Sequence, residues 1–521
     1  MTIMPSEKGE VQAASPATNA KAKPRPSYIP GLRWWICALL FLATTINYVD
    51  RNALSVLKTT LERQLNWSEA DYGWITFAFT TAYAVFPSIM GRVVDAVGVK
   101  IGFAGGLILW SLMAAAHALV TSVFGFASAR FLLGAAESIN FPAAIKAVAQ
   151  WFPQKERALA TGLFNSGTNV GVMISFGTVM LATTYGWRWA FVMIGVIGFG
   201  WLALWIYAYQ TPERHARLSP AEHAYIRAGR PAEVETVRVH WTTLLRYGNI
   251  WPFLLGKFMT DPVWWFYLYW LPSYLEKERG RNPLKSALLL AAIYTGASVG
   301  SIVGGWFSGF LIGKGWRVGP ARYLAMLLSA VCMPGSIIAY YTQSFGLCIA
   351  LISLATACHQ GWSANIFTSA TDIFPSKVAG SVIGLGTTAG AIGGMFMTLL
   401  AGMSIQWLGT QKAVFIWAGL MHPLCLIIYR LWIGRDFQTI DVDQPLDMSR
   451  RHSGLLAGGA ILGLLGLALA LLIYANWETC VAAAKLAGAA QAATAAVGVL
   501  VVGIVLLYAG RAQRAGANAV R

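Results

Sequence analysis

Apolar runs of about twenty residues alternate with short polar segments along nearly the whole chain. Fourteen such runs begin near Arg33, Glu69, Lys100, Ser122, Glu156, Arg188, Tyr247, Leu284, Pro320, Phe345, Lys377, Thr410, Gly454 and Val481. Wound as helix at ~1.5 Å per residue, a run of this length crosses a hydrocarbon core roughly 30 Å thick. The pattern predicts an all-α polytopic membrane protein with fourteen spans.

The polar interruptions divide these runs. The longest, residues 211–246, carries six arginines and separates a first set of six runs (31–210) from a second (247–435). Residues 1–30 are rich in Ala, Pro, Ser and Lys, have no apolar core, and read as a disordered tail. Residues 436–453 form a polar linker, 454–508 hold two additional helices, and 509–521 form a second tail. The additional pair contains Gly-x-x-x-Gly spacings (Gly454/Gly458, Gly459/Gly463), which permit close helix packing. The two six-run halves echo each other. FPQKERALATGLFNSGTNVG from Phe152 and FPSKVAGSVIGLGTTAGAIG from Phe374 superpose at a shift of 222 residues. Phe152, Pro153, Lys155, Gly162, Leu163 and Gly171 then fall on identical residues, which points to a duplicated unit.

Composition agrees with a membrane protein: 56% of residues are apolar and 12% charged. The net charge of +17 could suggest a nucleic-acid partner, but its distribution argues against one. With the N-terminus inside, 26 of the 39 Lys/Arg fall in inner loops and tails, 9 in outer loops and 4 within helices. That asymmetry places both termini in the cytoplasm of a multi-pass plasma (inner) membrane protein, with basic loops against anionic lipid. The six cysteines show no CxxC and no metal spacing, so no disulfide framework, metal or other cofactor is expected.

The polar residues inside the apolar runs are the candidate chemistry. The first run, WWICALLFLATTINYVDRNALSVL, holds Asp50 and Arg51 beside Tyr48. Ionisable groups at such depth cost at least ~2.5 kcal/mol each, so they mark a partner, a watery cavity or a functional site. In the fourth run Arg130 lies at about the depth of Arg51, and Glu137 lies seven residues on, too far for a full direct pair with Arg130. Tyr83 in the second run falls at mid-depth, and Asn165 and Asn169 share a face of the fifth. In the seventh run Asp261-Pro262 is expected to break the helix, beside the flat faces of Trp264, Trp265 and Tyr267. The tenth offers His359, Gln360, Ser363 and Asn365 as hydroxyl-binding groups, with Trp362 among them. Cations and carboxylates thus share the first half, while amides, hydroxyls and aromatics dominate the second. A small organic anion with a polyol body suits both: its carboxylate on the planar fork of Arg51, its hydroxyls on the second half. Glu137, buried, can bind and release protons as water access changes. The behaviour of Asp50 is open, because Arg51 adjoins it.

Between the second and third runs stands GRVVDAVGVK. Its Gly91, Asp95, Gly98 and Lys100 resemble the inner-loop signature of the major facilitator superfamily, in which the charges would form a latch with Arg92. The second-half counterpart, GWFSGFLIGK, has Gly309 in place of Asp95, so the latch there is weakened. NYVDR, Arg130 with Glu137, TDPVWWFYLYWLP and HQGWSAN are similar to the anion:cation symporter family within that superfamily, in its hexuronate branch. The resemblance covers residues 30–435 and implies a major facilitator fold of two six-helix halves, with the last two helices outside the pattern. It implies proton-coupled symport of a hexuronate such as glucuronate or galacturonate. It also implies proton sites at Asp50 and Glu137, and substrate contacts at Tyr48, Arg51 and Tyr83. An aldonate or other carboxylate is the alternative substrate, and a transporter-like sensor the alternative class. No metal cluster, Ser-His-Asp arrangement or phosphate loop suggests an enzyme.

Overall fold

The structure, a computed structural model, describes residues 28–230, 241–280, 283–408, 410–434, 437 and 440. The expected helices at 454–508, both tails and most of the 436–453 linker lie outside these residues. The described residues are helical, with no strand among them. The long helices are α1 Leu32–Val56, α2 Glu69–Val97, α3 Val99–Ala116, α4 Val123–Glu137, α5 Asn140–Trp151, α6 Gln154–Ser175 and α7 Trp187–Ala208. They continue with α8 Ile250–Tyr269, α9 Pro283–Gly313, α10 Val318–Cys332, α11 Phe345–Ile373, α12 Ala379–Leu408 and α13 Lys412–Ile433.

Ten segments among the described residues are long and apolar enough to cross a membrane, α4 and α5 counting together as one. α6 and α8 also have spanning length, at 22 and 20 residues, but are more polar: α6 carries Asn165, Thr168 and Asn169, and α8 carries Lys257 and Asp261. These two polar helices both reach the central cavity described below.

The helices pair as a duplicated unit would. In the first half α1 packs on α6, α2 on α4, and α3 on α7; in the second, α8 packs on α12, α9 on α11, and α10 on α13. Across the halves, α2 packs on α12 and α6 on α9, two contacts that a two-fold rotation exchanges. Large apolar side chains such as Trp35, Ile101, Met180, Trp306 and Leu431 face outward, as lipid-facing positions do.

Two local features differ from the sequence expectation. The fourth run is broken at Ser138–Ile139, between α4 and α5. Pro142 explains this: it has no N–H, and its ring opposes the carbonyl of residue 138 one turn earlier. Conversely, α8 runs unbroken through Pro262, so the expected break there is corrected. Its partner helix supplies the reason. The Phe258 carbonyl, which Pro262 cannot satisfy, faces Gly393 of α12 so closely that a Cβ there would stand 2.2 Å from it. A side-chain-free surface thus accommodates the proline turn by packing.

Candidate functional site

A cavity lies between the two sets of helices, with about 530 Å³ of empty space when its open mouth is included. Tyr48 and Arg51 of α1, Tyr83 of α2, Phe141 of α5, and Asn165 and Thr168 of α6 line one wall. Lys257, Asp261, Trp264 and Trp265 of α8 line the other, with His359, Gln360, Ser363 and Phe367 of α11, and Thr387 and Ala391 of α12.

On the first wall, the Arg51 guanidinium lies over the rings of Tyr83 (4.1 Å) and Tyr48 (4.6 Å). Such cation–π contacts hold a charge without consuming its N–H donors. Nε and Nη2 of Arg51 donate to Oε2 of Glu137 at 3.3 and 3.2 Å, and Nη2 also reaches Oδ1 of Asn47 at 3.3 Å. Nη1 has no partner among the described residues, so one arm of the fork remains for a ligand. Glu137 is fully buried behind Arg51. Arg130 donates through Nη1 to the Arg51 carbonyl at 3.3 Å. Asp50 is buried, and neither of its carboxylate oxygens has a hydrogen-bond partner among the described residues.

On the second wall, Lys257 and Asp261 sit one helical turn apart and pair at 2.8 Å. The Lys257 ammonium also lies 3.6 Å from the centre of the Phe367 ring. His359 stacks parallel to Trp264, with 5.8 Å between ring centres, and its Nδ1 meets Nε2 of His422 at 3.0 Å. The walls are joined where Nδ2 of Asn165 donates to Oε1 of Gln360 at 2.7 Å.

The cavity therefore gathers Tyr48, Arg51, Tyr83, Asn165, Trp264, Trp265, His359, Gln360 and Ser363 from the residues the sequence singles out. Asp50 and Glu137 stand behind the first wall. Arg130 is held against the α1 backbone and does not line the cavity. Asn169, one position past Thr168, is fully buried off it. Asn365 faces the other way: its Nδ2 donates to the carbonyls of Gly304 and Gly361 at 2.9 Å, tying α11 to α9. The Lys257–Asp261 pair was not among the candidates, though opposite charges four residues apart in an apolar run are a readable signal.

One end of the bundle is closed by close backbone approach and buried ion pairs. A Cβ at Gly91 would stand 2.2 Å from the Gly380 carbonyl oxygen, and one at Gly162 2.2 Å from that of Ser301. Asp95 pairs with Nζ of Lys146 at 2.6 Å and accepts the N–H groups of Gly380 (3.0 Å) and Ser381 (2.6 Å) at the start of α12. A carboxylate there satisfies free N–H groups and meets the positive end of the helix dipole. Its bonds therefore run across the halves as well as to Lys146. The second half has its own lock, at a different residue from the expected position. Gly309 is packed against Lys155, while Asp372 takes Arg322 Nε at 3.1 Å and Arg157 Nη1 at 3.5 Å. Arg322 also donates across the halves to the Gln154 carbonyl at 2.8 Å.

Residues 40–398 match the Major Facilitator Superfamily. The chain belongs to that superfamily. It is therefore a multi-pass membrane transporter by family, and not an enzyme. It is 32% identical over 394 residues to the hexuronate transporter of Escherichia coli (strain K12), covering 73% of this chain and 89% of that one. It is 34% identical over 317 residues to the galacturonate transporter of Dickeya chrysanthemi, covering 59% and 92%. The resemblance to hexuronate transporters therefore holds along most of the described chain. Among solved structures, the fold is similar to the proton:xylose symporter XylE (TM-score 0.61, 13% identity, 78% of this chain and 97% of that one). It is also similar to FucP in the outward conformation (TM-score 0.58, 16% identity, 77% and 99%).

Proposed function

We propose that this protein is a secondary active transporter that carries a sugar acid anion of the hexuronate class, such as glucuronate or galacturonate, together with protons by alternating access. The observation that carries the reading is Arg51: a guanidinium on the cavity wall, held by two tyrosine rings and backed by the buried Glu137. The relatives that transport hexuronate and galacturonate support the substrate class.

The geometry suggests how coupling would arise. Arg51 is one cation shared between Glu137 and an incoming carboxylate. With both anions charged, two like charges compete for it in a dry site, at a cost of several kcal/mol. Protonating Glu137 removes the competitor and leaves the fork to the substrate. Proton and substrate then favour each other's binding, and linkage makes the effect reciprocal. Asp50, buried within electrostatic reach of Glu137 and Arg130, is the second proton site. Tyr48 and Tyr83 frame the carboxylate, and Trp265, His359, Gln360 and Ser363 receive the hydroxylated body. The locks at Asp95 and Asp372 close the cytoplasmic end, and their rupture opens it. In this reading both termini are cytoplasmic, the membrane is the plasma (inner) membrane, and twelve core helices are followed by the two at 454–508. A specific relative keeps an aldonate as the second substrate: a D-galactonate transporter is 28% identical over 423 residues.

Purified protein in proteoliposomes is expected to accumulate labelled galacturonate or glucuronate under an inward proton gradient, and a protonophore is expected to abolish this. Accumulation that follows sodium and ignores protons would overturn the coupling; absence of sugar-acid uptake would overturn the substrate.

A further inference from the structure

The pair on the second wall has an arrangement that the transport reading does not use. Lys257 and Asp261 share one face of α8, yet their exposures differ: 3% for the lysine side chain and 19% for the aspartate. Both residues line the cavity, but the carboxylate is the more exposed and the ammonium is nearly buried, over the Phe367 ring. Gly390 of α12 provides the seat, since a Cβ there would stand 2.1 Å from Oδ2 of Asp261. Ion pair, aromatic ring and glycine seat together fix the direction of the carboxylate.

We propose that Asp261 is a specificity-determining residue of this cavity: it accepts the hydroxyl end of a sugar monoacid and excludes a second carboxylate. The inference rests on the sugar-acid reading above. An ion-paired carboxylate is an acceptor without donors, suited to neighbouring hydroxyl groups. Arg51, on the facing wall, supplies the donors a carboxylate needs. A molecule with one carboxylate and a hydroxylated far end matches both walls. A neutral sugar leaves Arg51 without its anion. A sugar diacid brings its second carboxylate against Asp261, where like charges repel, and discrimination arises from that repulsion.

The test is displacement of labelled galacturonate from purified full-length protein by galacturonate, galactonate, galactarate and galactose. In the wild type both monoacids are expected to bind at least about tenfold more tightly than the diacid and the neutral sugar, a ratio worth about 1.4 kcal/mol. Asp261→Asn keeps the shape and uncovers Lys257, so galactarate is expected to gain about tenfold relative to galacturonate. The double variant Lys257→Gln, Asp261→Asn is expected to lose that gain, because the ammonium that would hold the second carboxylate is gone. Equal wild-type binding of monoacid and diacid overturns the inference, and this measurement stands even if Asp261→Asn does not fold. An unchanged ratio in Asp261→Asn, or a gain that survives in the double variant, also overturns it. If the wild type binds none of the acids, the sugar-acid reading fails and takes this inference with it; galacturonate binding without diacid discrimination removes only the role of Asp261.

Discussion

The two walls of the cavity carry ion pairs of opposite presentation. On the first, the cation Arg51 faces the cavity and Glu137 lies fully buried behind it. On the second, the more exposed member is the anion Asp261, with Lys257 covered by Phe367. A duplicated fold has thus placed a forked cation on one side and a fixed anion on the other. The difference teaches that similar helix pairings do not imply similar chemistry. In the proposed mechanism the first wall exchanges partners, because Glu137 and a ligand carboxylate compete for the same cation. The second has no such competition for its lysine unless a second acid arrives, and in the same proposal it serves selection.

The largest break in this comparison comes from Arg51→Lys. Lysine retains the charge but not the planar fork, and it cannot at once face Glu137, stack between Tyr48 and Tyr83, and present a free arm. Losing charge-assisted hydrogen bonds costs about 1.5–3 kcal/mol. Galacturonate affinity, measured by calorimetry on folded variant, is expected to fall by about 10- to 100-fold. Near wild-type affinity would remove Arg51 as the carboxylate ligand.

Glu137→Gln sharpens the comparison without destroying the site. Glutamine mimics the protonated carboxyl and leaves Arg51 permanently available. Proton-driven accumulation is expected to vanish, because the proton that Glu137 would release to restore Arg51's competitor and reset the carrier is missing, whatever Asp50 carries. Counterflow of internal for external galacturonate is expected to persist, since it needs only the loaded carrier to reorient. The sign with pH follows: wild-type binding weakens as pH rises and Glu137 regains its charge, while the variant loses that part of the dependence and keeps only what Asp50 contributes. If Glu137 serves only to neutralise Arg51, the variant strands a buried guanidinium, and accumulation, counterflow and binding fail together.

Much of this architecture is legible in the chain because lipid demands long apolar runs. The first twelve expected starts fall within three residues of observed helix starts, from Arg33 against Leu32 to Thr410 against Lys412. Faces were harder than depths. Candidates grouped by depth alone mixed residues pointing in different directions. His359, Gln360, Ser363 and Phe367 form one stripe at i, i+1, i+4 and i+8, whereas Asn365 is rotated by about 200° from Ser363. The same stripe logic on α8 links Lys257, Asp261, Trp264 and Trp265, and would have found the missed pair. Pro262 could not be read this way. Whether its turn breaks depends on Gly393 of another helix, which no local pattern reveals. The second lock is equally hidden: the motif has Gly309 where a carboxylate would stand and reads as a weakened latch, while Asp372 of a different helix supplies the carboxylate.

The smallest expected effect tests this distinction between depth and face. Asn365 shares a span with three cavity-lining polar residues but spends its amide on α9 and its own helix. Asn365→Ala removes two buried donor contacts, to the carbonyls of Gly304 and Gly361. The second carbonyl lies one turn back in α11 and is part of its helical ladder, so the main loss is the tie between α9 and α11. Net loss of such a bond is about 1–2 kcal/mol. The close approach of these helices limits any rescue by water: a Cβ at Gly304 would stand 2.4 Å from the Gly361 Cα. The variant is therefore expected to melt at a lower temperature while its galacturonate affinity stays within about twofold of wild type. Ser363→Ala, on the cavity stripe, is expected to show the reverse balance, with weaker binding and little change in melting. Measuring both quantities on both variants separates a helix tie from a ligand contact. A loss of affinity of about tenfold in Asn365→Ala with unchanged melting would return Asn365 to the cavity wall, in a conformation where α11 has turned relative to α9.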